Sequence, residues 1–203
     1  MKARLWQTLF ILNSLIATEF IFADSSNKDV RALKEQNMMS VLYQQTAAER
    51  LAGSLQTFRS AKQALDIALA DPTWSALPSQ NIKGKKPAII VDVDETVLDN
   101  TAYEARMILD GTKYPEGWVS WGKETAATEV PGAKDFLNYA VSKGVTIFYI
   151  TNRVVELKEA TKINLTKLGI PWDQTKETIL MRGENNWGSD KGLRRALVGK
   201  DYR

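Results

Sequence analysis

The stretch Ile89-Ile90-Val91-Asp92-Val93-Asp94-Glu95-Thr96 decides how this chain is read. Residues 88–91 form a short apolar, β-branched run, which predicts a strand buried on both faces of a parallel sheet. Asp92 then stands at the carboxyl end of that strand, where open α/β sheets bind their ligands. Asp94 lies two residues on, so a still-extended chain points both carboxylates to one face. Two carboxylates that close repel each other unless a cation or a shared proton relieves them.

Composition narrows which cation. The 203 residues include no cysteine and no histidine, so thiolate nucleophiles, His-based triads and Cys/His zinc sites are excluded. Oxygen ligands remain, and they suit magnesium. One carboxylate can then attack a phosphoryl group, forming an aspartyl phosphate, while the other protonates the leaving oxygen and later activates water. A calcium loop is disfavoured because Val97 stands where its pattern wants glycine. The net charge of +3 is too mild to imply nucleic acid, which needs a clustered basic face. Hydrophobic residues at 44% and charged residues at 25% fit a globular domain rather than a disordered or multi-span membrane chain.

Outward from the decisive stretch, the pattern alternates. Residues 38–70 read as one helix, with Leu51, Leu55, Phe58, Ala61, Leu65 and Leu69 as its apolar stripe. Asp71-Pro72 ends it, and a Pro-, Gly- and Lys-rich loop leads to residue 88. A second strand is predicted over 145–150, after a helix from Pro131 with Phe136, Leu137, Ala140 and Val141 inward and Gly144 closing it. A helix over 155–168 with Ile163, Leu165 and Leu168 apolar, a short strand over 178–181 and a last helix near 191–198 follow. Strand–helix alternation predicts an α/β fold with a parallel sheet. Residues 99–130 are too long for a simple loop and predict an insertion above that sheet.

Two further strand ends supply polar groups. Thr151, in Thr151-Asn152-Arg153, follows the second strand, and Lys191 opens the last helix. A hydroxyl and backbone N–H groups can hold phosphate oxygens, and an ammonium can neutralise charge developing on a transferring phosphoryl group. Taken singly, Thr151 is more often a helix N-cap and Lys191 a surface lysine, while Trp118 and Trp121 suit an apolar insertion core about as well as a ligand contact. Their order along the chain, each beyond a strand, is what lifts them above that.

On these residues the chain resembles the haloacid dehalogenase superfamily. Residues 90–103, Trp118 and Trp121, Val130-Pro131-Gly132-Ala133, residues 148–153 and Leu168-Gly169 resemble the bacterial class C acid phosphatases, exported and often lipid-anchored 5′-nucleotidases. The resemblance covers roughly residues 38–203 and implies a Rossmann-like parallel sheet with an N-terminal helical unit (24–87) and a small cap (99–130) on a core of 88–203. It implies Mg2+ as cofactor and a phosphate monoester, such as a nucleotide, as substrate. Asp92 would be nucleophile and magnesium ligand, and Asp94 the general acid/base that lends its backbone carbonyl to the metal. Thr151 and Lys191 would bind phosphoryl oxygens, and Thr96 would support the motif loop. Asn152 and Arg153 would border the substrate, Arg153 either as phosphate contact or as ion-pair partner, and Trp118 would line the nucleotide pocket.

Two departures set further expectations. No cysteine follows the N-terminal apolar stretch, so acyl anchoring is not implied. After Lys191 the sequence shows no Gly-Asp-x-x-x-Asp type motif, and the family's next strand is missing before Arg203. The first strand is then expected to be an exposed edge and the metal site to lack one acidic contribution. A catalytically inactive or truncated relative acting as a binding or surface protein is the alternative this raises. Residues 1–23, with Lys2 and Arg4 before an apolar centre, resemble a secretory signal. Periplasmic or secreted location is the expectation, with outer-membrane association or membrane contact only through an uncleaved N-terminal segment. A homo-oligomer is compatible with the sequence.

Overall fold

A computed structural model describes residues 36–77 and 79–203, and the signal-like segment lies outside them. Three parallel strands form the sheet: β1 (Ala88–Val91), β4 (Thr146–Val154) and β5 (Ile179–Arg182), in the order β1-β4-β5. Ala88 pairs with Thr146 and Val91 with Tyr149; Tyr149 pairs with Ile179 and Thr151 with Met181. Two short antiparallel strands, β2 (Leu98–Asp99) and β3 (Thr128–Glu129), close the base of the insertion. Within it lie α3 (Thr101–Asp110) and α4 (Trp118–Glu124).

The period-two alternation of the strands divides the interior. Ile89, Val91, Ile147, Tyr149, Ile179 and Met181 face the main core. There they meet α5 (Ala133–Ser142) and α6 (Lys158–Leu168) through Leu137, Ala140 and Leu165. Ala88, Phe148, Ile150 and Leu180 face the other way, onto Val198 of α7 (Gly192–Asp201) and onto Tyr202. Both crossover helices thus cover one face and the last helix the other, as expected of an α/β fold.

The N-terminal helix is two helices. α1 (Met38–Thr46) and α2 (Ala48–Ala70) are separated by Ala47, whose ψ of 125° is extended. No glycine or proline marks the break. It lets α1 pack on α3 while α2 packs on α5. Of the predicted stripe, Phe58, Ala61, Leu65 and Leu69 pack on the core, whereas Leu51 and Leu55 are exposed. Gly132, at φ 89°, makes the α2–α5 approach possible, since a Cβ there would lie 3.2 Å from Phe58 Cβ.

Several helix faces differ from expectation in the same way. Val141 and Ile163, expected inward on α5 and α6, are instead exposed. β1 is half-buried rather than covered on both sides, with Ile90 41% exposed, because it is the sheet edge. Its first residues are nevertheless paired: Ala88 N donates to Arg203 O at 3.0 Å and Arg203 N to Lys86 O at 2.9 Å. Tyr202 runs parallel to Lys86 there, so the outer edge is occupied up to Ala88 and open from Ile90 on. Among the described residues no helix is long and apolar enough to cross a membrane.

Candidate active site

The loop after β1 is held from below. Val93, Val97 and Leu98 are fully buried, and the N–H groups of Val97 and Leu98 donate to Val93 O at 2.8 and 2.9 Å. Glu95 turns the corner at φ 55°, a left-handed conformation unusual outside glycine. Anchoring the valines inward leaves Asp92 and Asp94 partly exposed.

Each carboxylate has its own cation. Lys191, at the N-terminus of α7, donates to Asp92 Oδ2 at 2.5 Å, and Val93 N donates to Asp92 Oδ1 at 2.7 Å. Arg153 is buried, and it grips Asp94 Oδ1 through Nε at 2.9 Å and a terminal nitrogen at 2.8 Å. Of the two roles the sequence leaves open for Arg153, the ion pair is the one seen. Thr151 is fully buried, inside β4 rather than beyond it, because the strand extends to Val154. Its hydroxyl accepts the N–H of Arg153 at 3.1 Å. Thr151 therefore caps no helix.

The remaining predicted residues surround this pair of ion pairs unevenly. Asn152 is exposed, its Oδ1 taking a bond from Arg194 at 2.8 Å. Trp118 is half-buried in the insertion, its ring 5.5 Å from the Arg153 guanidinium and edge-on to Tyr103 and Tyr114. Thr96 faces a different space, a cavity of about 450 Å³ lined also by Tyr43, Arg50 and Phe58 of the N-terminal helices.

Sequence reasoning missed Arg194. It is fully buried with no carboxylate partner among the described residues, and it donates to the carbonyls of Thr151, Gly188 and Asp190 as well as to Asn152. Burial pushes its pKa down, while the charges of Asp92 and Asp190 oppose that. This one guanidinium ties the end of β4 to the loop that carries Lys191. A charged residue at the third position of an exposed-looking helix gives no sequence signal of such a role.

The donor set for a metal is made of hard oxygens. Among the described residues Asp94 Oδ2 accepts no hydrogen bond, and each Asp92 oxygen makes one contact. Magnesium commonly takes one or two carboxylates, completing its shell with water and substrate phosphate, so the residues fit in type. Among the described residues no group of three or more His, Cys, Asp or Glu forms a ready cage.

Fold and site together define an α/β protein with a carboxylate pair at the carboxyl end of a parallel strand and a basic side chain set against each carboxylate. Residues 17–203 match the family model of the HAD superfamily, subfamily IIIB (acid phosphatase), and the chain belongs to that family of phosphomonoester hydrolases. It is similar to the class C acid phosphatase from Bacillus anthracis with tungstate bound, at 38% identity and a TM-score of 0.73, covering 84% of this chain and 67% of that one. A second structure of the Bacillus anthracis enzyme gives 37% identity and a TM-score of 0.72, covering 84% and 66%. The chain thus spans about two thirds of these relatives' length.

Proposed function

We propose that this chain hydrolyses phosphate monoesters, 5′-nucleotides among them, through a phosphoryl group carried on Asp92. The observation that carries the reading is the Lys191–Asp92 pair. An ammonium already rests on the nucleophilic carboxylate, where the charge of an incoming phosphoryl group would lie. Phosphate oxygens would draw Lys191 away and leave Asp92 free to attack. Asp94, held by Arg153 on one oxygen, would give a proton to the leaving oxygen and take one from water in the second step. Thr151 shapes the floor from within β4, and Asn152 stands exposed at its rim.

Magnesium would be held by the Asp92 carboxylate and the backbone carbonyl of Asp94, and it would supply positive charge against the phosphoryl oxygens. Trp118, half-buried beside the exposed Tyr114, offers an aromatic face to a nucleobase or another planar leaving group. The tungstate of the Bacillus anthracis relative is an oxyanion of phosphate-like shape, which supports the same substrate class here. The signal-like N-terminus supports action outside the cytoplasm.

The test is p-nitrophenyl phosphate hydrolysis at mildly acidic pH across a magnesium titration, beside Asp92→Asn. Magnesium-dependent turnover that falls at least about a thousandfold in the variant is the expected result. A folded, monodisperse protein with no turnover at any magnesium level would point instead to the inactive relative. Full activity in Asp92→Asn would remove Asp92 as nucleophile.

A further inference from the structure

Asn100 stands at the N-cap position of α3, yet its side chain makes no capping bond. Asparagine is among the residues most favoured there because its oxygen can take a free N–H of the first turn. Here Asp99 does that work, its Oδ1 accepting Thr101 N at 2.9 Å. The Asn100 amide, 2% exposed, is turned to other partners. Its Nδ2 donates to Asp94 Oδ1 at 2.9 Å and to Glu95 Oε1 at 3.0 Å. Its Oδ1 accepts the indole N–H of Trp121 at 2.9 Å and a nitrogen of Arg153 at 3.3 Å.

The Trp121 bond fixes more than contact. An amide's two ends are chemically distinct, and a flip would set its NH2 against the indole N–H and the arginine, donor against donor. Trp121 and Arg153 therefore force Nδ2 to point at Asp94. Trp121 is itself clamped in the insertion, 3% exposed, with the Arg106 guanidinium 4.9 Å from its ring. Three donor contacts consequently meet on Asp94 Oδ1, one from Asn100 and two from Arg153. Among the described residues nothing bonds to Oδ2, the oxygen left over.

We propose that Trp121 is a positioning residue for Asp94: acting through Asn100, it holds the carboxylate with Oδ1 saturated and Oδ2 as the atom that carries the proton. The inference rests on the reading of Asp94 as general acid/base. In the first step the bond from phosphorus to the ester oxygen breaks as Asp92 bonds to phosphorus. The ester oxygen keeps the electron pair and takes the proton from Asp94 Oδ2. In the second, the oxygen of water bonds to phosphorus, its proton passes to Asp94 Oδ2, and the phosphorus–Asp92 bond breaks. The orientation of the insertion helix thereby sets how well the leaving group is protonated.

The test compares two esters in wild type, Trp121→Phe and Asn100→Ala. p-Nitrophenolate leaves without needing a proton, whereas the alkoxide of glycerol 2-phosphate must receive one. The expected result is a kcat/KM for glycerol 2-phosphate that falls about 10- to 100-fold while that for p-nitrophenyl phosphate, read before the shared second step, stays within about threefold. Equal losses on both esters, or no loss, would overturn the proposal, since general loosening of the fold does not discriminate leaving groups. Should Trp121→Phe not fold, Asn100→Ala carries the same comparison. Wild-type protein inert to both esters would refute the phosphatase reading, and a second readout then decides the contact itself. The indole N–H resonance of Trp121, identified by its loss in Trp121→Phe, is expected to shift in Asp94→Asn, while that of Trp172, bonded to Thr166, does not. An unmoved Trp121 resonance would overturn the linkage independently of turnover.

Discussion

Arg194, on α7, donates to the main-chain carbonyl of Thr151, on β4, from a side chain with no exposed surface. The same guanidinium holds the carbonyls of Gly188 and Asp190, just ahead of Lys191. Removing it strands the buried Thr151 carbonyl and unties the loop at Gly188 and Asp190. Arg194→Met is expected to cost about 3 kcal/mol or more, read as a lowered urea midpoint. A loss below about 1 kcal/mol would mean that the loop finds other donors.

Lys191 makes the opposite kind of contact, a partly exposed ion pair whose value for folding is small. Lys191→Met is expected to leave the thermal midpoint within a few degrees of wild type. On the proposed reaction it lowers kcat/KM about 10²- to 10³-fold, the usual effect of losing one group that stabilises developing charge. Unchanged kcat/KM would separate Lys191 from the chemistry.

Gly122 lies inside α4 against Leu157, which is fully buried. A Cβ at position 122 would meet the Leu157 methyls at 2.7 and 2.8 Å. Alanine gains about 1 kcal/mol of helix propensity, whereas overpacking of this kind costs about 1–3 kcal/mol. Gly122→Ala is therefore expected to be net destabilising. In a double-mutant cycle Leu157→Ala should relieve it, giving a favourable coupling of about 1 kcal/mol. Additive losses would show that the helix shifts instead.

The elements legible in the sequence were those whose signal is local. The apolar runs at 88–91 and 145–150 announce strands, and Asp92 and Asp94 follow the first of them directly. Lys191 and the carboxylates could be placed together because the topology of an α/β sheet brings strand ends to one side. The break at Ala47 was not legible, since nothing in Gln45-Thr46-Ala47-Ala48 opposes a helix and only the separate partners of α1 and α2 require it. Arg194 and Asn100 escaped for the same reason. Their partners lie far away in sequence or depend on an amide's orientation, which no spacing rule encodes.

Glu95 links the site to pH. Although the residue is solvent-exposed, its carboxyl folds back onto Asn100, and burial pushes its pKa up, against the lowering effect of the Asn100 hydrogen bonds. A carboxyl with a raised folded-state pKa stabilises the fold below its ordinary range, and that contribution is lost as pH rises through the folded value. Glu95→Gln keeps an oxygen for Asn100 and removes the ionisation. The thermal midpoint of the variant relative to wild type is expected to rise between pH 4 and pH 7. A constant difference across that range would mean that Glu95 ionises without penalty.

The interruption at Ala47 also has a mechanical meaning. α1 lies on α3 of the insertion and α2 lies on α5 of the sheet, and one extended residue joins them. Arg50, just past the joint, reaches Asp99 at 3.6 Å, where the insertion departs from the core. The two N-terminal helices thus act as an external splint laid across the seam between the two parts. Any swing of the insertion must either carry α1 with it, pivoting at Ala47, or pull Val41 out of its seat.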